Sequence, residues 1–240
     1  MTITDQIRTF LTTLPEGTPF GYGAIGLRPD QGPAAAKALE RMVASGQVKR
    51  LSKGLFCQGS FDSASNTDLQ IIDSLCHKNG IRVAYVTGDR LLARLGLVAH
   101  KDHYPWEIAQ HKRRGRFSKA HLEIMAVASA IPVFEADIPV LELLDALRGF
   151  NRWAESQPKQ GIQNLAAICS VLTDQQRIKL VQTAVYYPAG TCALLGALIS
   201  LWGWEMDLSP LRWRINPTSR YRCVAAASAL PNGAAWGLNV

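Results

Sequence analysis

The chain has 240 residues, enough for one large domain or two ordinary ones. Hydrophobic residues make up 48% and charged residues 19%, a composition that excludes a largely disordered chain. The net charge of +7 favours an anionic partner, most often nucleic acid and less often an anionic membrane.

No segment of the sequence has the properties of a membrane or secretion signal. Asp5 and Arg8 interrupt the first apolar residues, and the longest apolar stretch, 192–204, is too short to span a bilayer. The five cysteines are odd in number, scattered, and without a C-x-x-C pair, which argues against disulfides and against a structural zinc site. We therefore expect a cytoplasmic protein with reduced thiols and no membrane partner.

The first sixty residues are predicted to form one domain, here called the head (residues 1–60). Apolar residues at helical spacing predict a helix over 2–14, followed by a short extended segment, a brief helix at 22–26 and a loop at 28–32. A second long helix runs from Pro33 to a stop at Gly46. Residues 46–59 then read as a hairpin. This order is typical of a winged helix-turn-helix, in which the hairpin is the wing.

A polar linker at 58–68 is predicted to lead into a second domain, 61–240. Helices are expected at 69–80, 89–97, 120–131 and 139–156, two more within 172–204, a strand at 81–88, an irregular basic segment at 100–119, and one or two short strands after residue 211. The predicted fold class is α+β: a winged helix-turn-helix followed by a larger, mostly helical domain with a small sheet.

The hairpin carries cations without any acid. Lys49, Arg50 and Lys53 alternate with apolar residues and precede a turn at Gly54, so the prediction is a ribbon with one face on the core and the cations facing water. Such cations are well placed to contact DNA phosphates.

The second helix of the head is the candidate recognition helix. Gln31, Lys37 and Arg41 are the candidates for contact with bases, and the small side chains of residues 34–36 would permit close approach to a duplex. The alternative is an ordinary alanine-rich surface helix.

A further basic cluster is a candidate accessory patch. It could extend the phosphate contacts, bind RNA or an acidic protein, or be a solvated loop. Its members are Lys112, Arg113, Arg114, Arg116 and Lys119.

Nothing in the sequence predicts catalysis or a cofactor. No nucleophile elbow, P-loop, zinc-protease or dinucleotide motif is present, so we expect no enzyme. Glu142 and Asp145 share a helix face, but a helix edge among leucines explains them better than acid–base chemistry. His100 and His103 lack further ligands at metal-binding spacing, so no metal and no cofactor are expected.

The order of several segments resembles the AbiEi-type antitoxin and transcriptional regulator family of type IV toxin–antitoxin (abortive infection) systems. The segments, each with its place in the chain, are "ALERMVASGQVKRLSKGLF" (38–56), "IRVAYVTGDRLLARLGL" (81–97), "YYPAGTCALLGALISLWG" (186–203) and "INPTSRYRC…LPNGAAWGL" (215–238).

The resemblance implies a repressor that binds operator repeats in double-stranded DNA at its own promoter through the winged helix. It also implies that the C-terminal domain counters a nucleotidyltransferase-like toxin without forming a stable complex with it. Two departures are that residues 98–117 are looser than the family's strand-rich segment and that residues 186–192 lack a second proline and arginines.

Two hypotheses follow. The first is a DNA-binding repressor and antitoxin; the alternative is an RNA-directed or protein-interaction module with a winged-helix fold and no operator. A continuous positive strip from Lys37 to Lys53 would favour DNA, and a neutral apolar helix face would favour protein contact. The sequence indicates neither the operator nor an oligomeric state.

Overall fold

The computed structural model describes residues 2–59, 65–78, 80–111, 114–224 and 229–239. Within these residues about 51% are helical, and there are ten helices and three small sheets. The predicted α+β class is therefore confirmed. The chain divides into two compact units: unit 1 contains residues 1–86, 108–128 and 133–135, and unit 2 contains residues 87–107, 129–132 and 136–240. The predicted boundary near residue 60 lies inside unit 1.

The head has the elements that the sequence predicts, in the predicted order. They are helix α1 (Ile3–Thr13), strand β1 (Pro19–Gly21), 3₁₀ turns at Tyr22–Ile25 and Pro29–Gln31, helix α2 (Gly32–Ala44), and strands β2 (Lys49–Ser52) and β3 (Leu55–Cys57). The predicted loop at 28–32 is wrong in detail, because Pro29 starts a 3₁₀ turn that leads directly into α2.

Local signals define the ends of these elements. The Thr2 hydroxyl accepts from the Asp5 backbone N–H, and the Asp5 carboxylate accepts from the Thr2 N–H, so a capping box starts α1. After α2, Gly46 has a φ of 76°, and Gly54 has a φ of 70° in the hairpin turn. Both values lie in the left-handed region, where glycine carries no steric penalty.

The head has its own hydrophobic core. Its buried members all come from residues 7–56: Ile7, Leu11, Phe20, Ala35, Ala38, Leu39, Met42, Val48 and Phe56. Strand β3 lies in the centre of an antiparallel sheet of order β1-β3-β2, with Phe20 opposite Phe56. The two helices pack over this small sheet, so the hairpin is fixed to the rest of the head by β1 as well as by its own turn.

The segment from residue 65 to residue 128 is richer in strands than the sequence predicts. The elements from here to residue 128 are α3 (Ser65–Cys76), β4 (His77–Lys78), β5 (Ile81–Arg82), β6 (Ala84–Thr87), α4 (Gly88–Arg94), β7 (Trp106–Gln110), β8 (Gly115–Lys119) and β9 (Leu122–Ala128). Strands β4 and β5 form a two-stranded sheet, and a four-stranded sheet has the order β6-β7-β9-β8.

Three predictions for this region are corrected. The predicted linker at 58–68 ends early, since α3 begins at Ser65; residues 60–64 lie outside the described residues. The segment at 100–119 is not irregular but contains β7 and β8. The helix predicted at 120–131 is strand β9, paired antiparallel with β8.

Unit 2 is mainly helical after residue 137. Its helices there are α5 (Ile138–Arg148), α6 (Phe150–Trp153), α7 (Pro158–Ser170), α8 (Asp174–Ala184), α9 (Ala189–Trp202) and α10 (Ser209–Arg214). Helix α9 is apolar nearly all round and lies in the centre of the core, with residues 191–199 buried. The strands predicted after residue 211 are wrong for the described residues, which hold α10 and a single bridge between Tyr221 and Leu238.

No helix in the described part of the chain combines the length and the apolar character that crossing a membrane requires.

Candidate nucleic-acid interface

Helix α2 buries one face and presents the other to solvent. Ala35, Ala38, Leu39 and Met42 are buried in the head core. Lys37 and Arg41 are both exposed one turn apart, and the Arg41 Nε donates to the Lys37 carbonyl oxygen at 3.3 Å. The i, i+4 spacing therefore places the two predicted cations on one face, as expected.

The surroundings of these two cations differ from the prediction. Of the three alanines that were expected to approach a duplex, only Ala34 is exposed; Ala35 is in the core, on the same helix face as Ala38, Leu39 and Met42. The exposed face also carries Glu40, next to Arg41. One acid therefore reduces the positive potential of this helix face.

Gln31 has a local structural contact. Its side-chain oxygen accepts from the Arg28 backbone N–H at 2.9 Å and so closes the 3₁₀ turn before α2. Contact with a base would use the amide nitrogen of Gln31. Arg28 beside it is exposed and lies 3.5 Å from the Asp30 carboxylate, a surface pair of small energetic weight.

The hairpin exposes all three of its predicted cations. Lys49, Arg50 and Lys53 are exposed, while Val48 before them and Leu55 after the turn are buried. The expected strict alternation is wrong, since Lys49 and Arg50 are neighbours and Leu51 is only half-buried. The reason is that β2 is an edge strand whose register shifts between Arg50 and Ser52, so the two faces of the strand are both open to solvent there.

The accessory cluster divides between two faces of β8. The pleat places Arg116 on the opposite side of the strand from Phe117 and Lys119. Arg114 and Arg116 are exposed, whereas Lys119 is half-buried and its Nζ donates to the Lys53 carbonyl oxygen at 2.5 Å. Lys112 and Arg113 lie outside the described residues.

The Lys119 contact joins two basic segments that are 66 residues apart in sequence. It places an ammonium group against the backbone of the hairpin turn, at the point where Lys53 is exposed. The end of β8 and the turn of the β2–β3 hairpin therefore contribute cations to one region of unit 1. Sequence reasoning treated the two segments separately because nothing local relates them.

Unit 2 contains a buried polar network that sequence reasoning missed. The Asp145 side chain is only 5% exposed and accepts from the Thr87 hydroxyl at 2.7 Å, from the Tyr187 hydroxyl at 3.2 Å and from Arg148 at 3.2 Å. Its neighbour Glu142 is also buried and pairs with Arg94. These partners explain the two acids as structural groups that hold the start of α4, α5 and Tyr187 together.

A second group of charges lies next to this network. Burial raises the pKa of the Glu107 carboxyl, and the nearby Asp89 carboxylate raises it further. Asp89 pairs with Arg152 at 2.7 Å, and this hydrogen bond raises the pKa of the Arg152 guanidinium. Thr87, Gly88, Glu107, Asp145, Arg148 and Arg152 line a cavity of about 210 Å³ here.

Cysteine and metal chemistry are restricted by burial. All five cysteines are buried, and none of them forms a disulfide. Desolvation raises the pKa of Cys76 and of Cys169 to about 12 and that of Cys192 to about 11. Among the described residues no group of three or more His, Cys, Asp or Glu side chains could hold a metal ion.

No protein-family model matches the chain, and no curated protein matches it.

Proposed function

We propose that the head is a winged helix-turn-helix that binds double-stranded DNA, and that the protein is a transcriptional repressor acting at its own promoter. The observation that carries the proposal is the placement of five exposed cations, Lys37, Arg41, Lys49, Arg50 and Lys53, on one helix and one hairpin that share a single small core. In a winged helix these two elements are the ones that meet the groove and the backbone.

The two elements have different roles in this proposal. Lys49, Arg50 and Lys53 hold phosphates, since they extend from an edge strand and a turn with no acid among residues 48–59. Lys37 and Arg41 lie nearer to the bases, together with the amide nitrogen of Gln31. Lys119 adds positive charge beside the wing turn, and Arg114 and Arg116 are exposed cations at the start of the same hairpin as Lys119.

The antitoxin part of the proposal depends on the resemblance of the quoted segments to the AbiEi-type family. We propose that unit 2 counters a nucleotidyltransferase-like toxin without a stable complex. Two of those segments meet in unit 2, because Gly196 of "ALLGAL" lies directly against the Trp236 ring of "AAWGL".

The test is a titration of the full chain with a duplex from the region upstream of its own gene and with a scrambled duplex of equal length, at several salt concentrations. Lys53→Ala should weaken binding to both duplexes and reduce the slope of log K against log salt by about 0.9, the value for one phosphate contact. Arg41→Ala should cost about 1–3 kcal/mol on the upstream duplex and little on the scrambled one.

Arg8→Ala is the matched control. Arg8 is an exposed cation of the head on α1, to which the proposal gives no DNA contact, and it removes the same charge. The DNA proposal is wrong if Lys53→Ala and Arg8→Ala have equal effects, or if the native chain binds neither duplex. Binding to single-stranded RNA of the same sequence in place of the duplex would support the RNA-directed alternative.

A further inference from the structure

Unit 2 has a cavity of about 450 Å³ that plays no part in the DNA-binding proposal. Its walls are the end of α5 with α6, the start of α9, and residues 220–223. The volume lies within the range of pockets that hold small organic ligands. It is about large enough for a mononucleotide and too small for a macromolecular partner.

The charged side chains that line this cavity are all arginines. Arg148, Arg220 and Arg222 line it, and no Asp or Glu is among the described residues that line it. Arg148 is paired with Asp145, so its charge is largely compensated inside the protein. Arg222 is 3.8 Å from the Glu155 carboxylate with both side chains at least 70% exposed, which is a weak interaction.

Arg220 is the most available of the three. Its guanidinium donates to the carbonyl oxygens of Pro217 and Ser219 at 3.4 and 3.3 Å, long contacts to neutral groups of its own loop. An anion in the cavity would therefore meet the guanidinium of Arg220, which has no acidic hydrogen-bond partner in the described part of the chain, and that of Arg222, whose charge Glu155 only weakly compensates. Guanidinium groups bind phosphate oxygens with two parallel hydrogen bonds.

The position of the arginine segment is fixed by side-chain and backbone hydrogen bonds. The Asn151 side chain donates to the Arg222 carbonyl oxygen at 2.7 Å and accepts from the Val224 N–H at 2.9 Å. Tyr221 between the two arginines exchanges backbone hydrogen bonds with Gly237 and Asn239, both at 2.8 Å. Such anchoring reduces the entropy that ligand binding would otherwise cost.

The remaining walls are apolar or backbone. Tyr221 is the half-exposed ring on this wall, whereas Phe150 and Leu194 behind it are buried in the core. The base and ribose of a ligand can therefore contact the Tyr221 ring. Ala189, Gly190 and Thr191 begin the 14-residue helix α9, and its first turn contains no acid. The partial positive charge at this end of the helix adds to that of the arginines.

We propose that this cavity binds a nucleoside phosphate. The phosphates contact Arg220, Arg222 and the start of α9, and the nucleoside lies against the Tyr221 ring. The proposal is independent of DNA binding, because every residue that it uses belongs to unit 2.

The experiment is isothermal titration of the full chain with each of the four ribonucleoside triphosphates, with inorganic pyrophosphate, and with the corresponding nucleosides. At least one triphosphate should bind, more tightly than pyrophosphate and than its own nucleoside. Arg220→Gln should weaken that binding by at least about tenfold, since it removes a charge-assisted contact. Lys159→Gln is the control, because it removes the same charge from an exposed position of unit 2 outside the cavity.

The proposal is overturned if no triphosphate binds, or if Arg220→Gln and Lys159→Gln have the same affinity as the native chain. Pyrophosphate binding as tightly as every triphosphate would overturn the nucleoside assignment. Equal urea unfolding midpoints for the native chain and both variants show that the loss belongs to the site and not to folding. The duplex titrations should be unchanged in Arg220→Gln, so a failure here leaves the DNA proposal untouched.

Discussion

The close approach of helix α9 to Trp236 makes Gly196 the most informative single position for stability. A Cβ at residue 196 would lie 2.5 Å or less from three ring carbons of Trp236, against about 3.5–4 Å for ordinary carbon contacts. The Gly196→Ala variant must therefore displace the ring by about 1 Å. The ring is buried, its Nε1 donates to the Ser200 hydroxyl at 3.2 Å, and the Arg212 guanidinium lies 3.6 Å above it.

The expected cost can be worked from these contacts. Overpacking a core typically costs about 1–3 kcal/mol, and disturbing the Trp236 hydrogen bond adds about 1 kcal/mol. Alanine is favoured over glycine inside a helix by about 1 kcal/mol, which opposes the clash. The net destabilisation expected for Gly196→Ala is about 1–3 kcal/mol, or a fall of about 1 M in the urea midpoint.

Tryptophan fluorescence in urea is the right assay because all six tryptophans belong to unit 2. Gly190→Ala in the same helix is the matched control: its Cβ would be 3.5 Å from the Tyr221 ring, an ordinary contact, so its stability should stay within about 0.5 kcal/mol of native. A Gly196→Ala midpoint equal to or above the native one would refute the close contact between α9 and Trp236.

Three further outcomes are expected. Asp145→Ala removes the buried acceptor and should lower the free energy of unfolding of unit 2 in urea by about 2–4 kcal/mol. Thr87→Val removes one donor and should lower it by about 1 kcal/mol. Unfolding free energies equal to that of the native chain in both variants would show that the network does not stabilise the fold. Folding raises the pKa of the Glu107 carboxyl, so the native chain loses stability as pH rises from the ordinary glutamate pKa through the raised value. The Glu107→Gln variant should therefore be as stable as the native chain at about pH 4 and more stable than it at about pH 7. Equal free energies of unfolding for the two chains at both pH values would contradict this. With a pKa of about 12, Cys76 and Cys169 should not react with a thiol reagent in the folded chain at about pH 8, whereas all five cysteines should react in urea; fast labelling of either in the native state would contradict their burial.

The parts of the head that the sequence predicts well are those set by local signals. The end of α2 follows from Gly46, and the turn of the hairpin follows from Gly54. Both residues have positive φ values, which favour glycine. The shared face of Lys37 and Arg41 follows from helical spacing. Each of these inferences depends only on a few neighbouring residues, so tertiary packing changes it little.

Strand β9 shows why the rest could not be predicted in this way. Leu122, Glu123, Met125 and Ala126 are good helix formers, and the segment was accordingly predicted as a helix. In the structure Leu122, Ile124 and Ala126 are buried while Glu123 is exposed, which is the period of a strand. Pairing with β8 supplies the backbone hydrogen bonds that outweigh the intrinsic preference.

The candidate interface has the same limit. The alternation expected of the hairpin does not hold at Lys49 and Arg50. The exposure of both residues depends on a register shift between β2 and β3, which cannot be predicted from the residue pattern of 46–59. The contact of Lys119 with the Lys53 carbonyl oxygen depends on where β8 lies in unit 1. Long-range placement of this kind comes from the packing of the whole unit rather than from spacing.

The interleaving of the two units along the chain has a consequence for synthesis on the ribosome. The core of the head is complete once residue 57 has been made, so this part can collapse early. The four-stranded sheet cannot form until β9 ends at residue 128, and β6 has to wait for β7, whose first residue is 106. At about 5–20 residues per second, β6 spends roughly one to four seconds without a partner strand on either side. During that interval the nascent chain carries an exposed template for strand addition, and it is the point in synthesis at which a chaperone would be most useful.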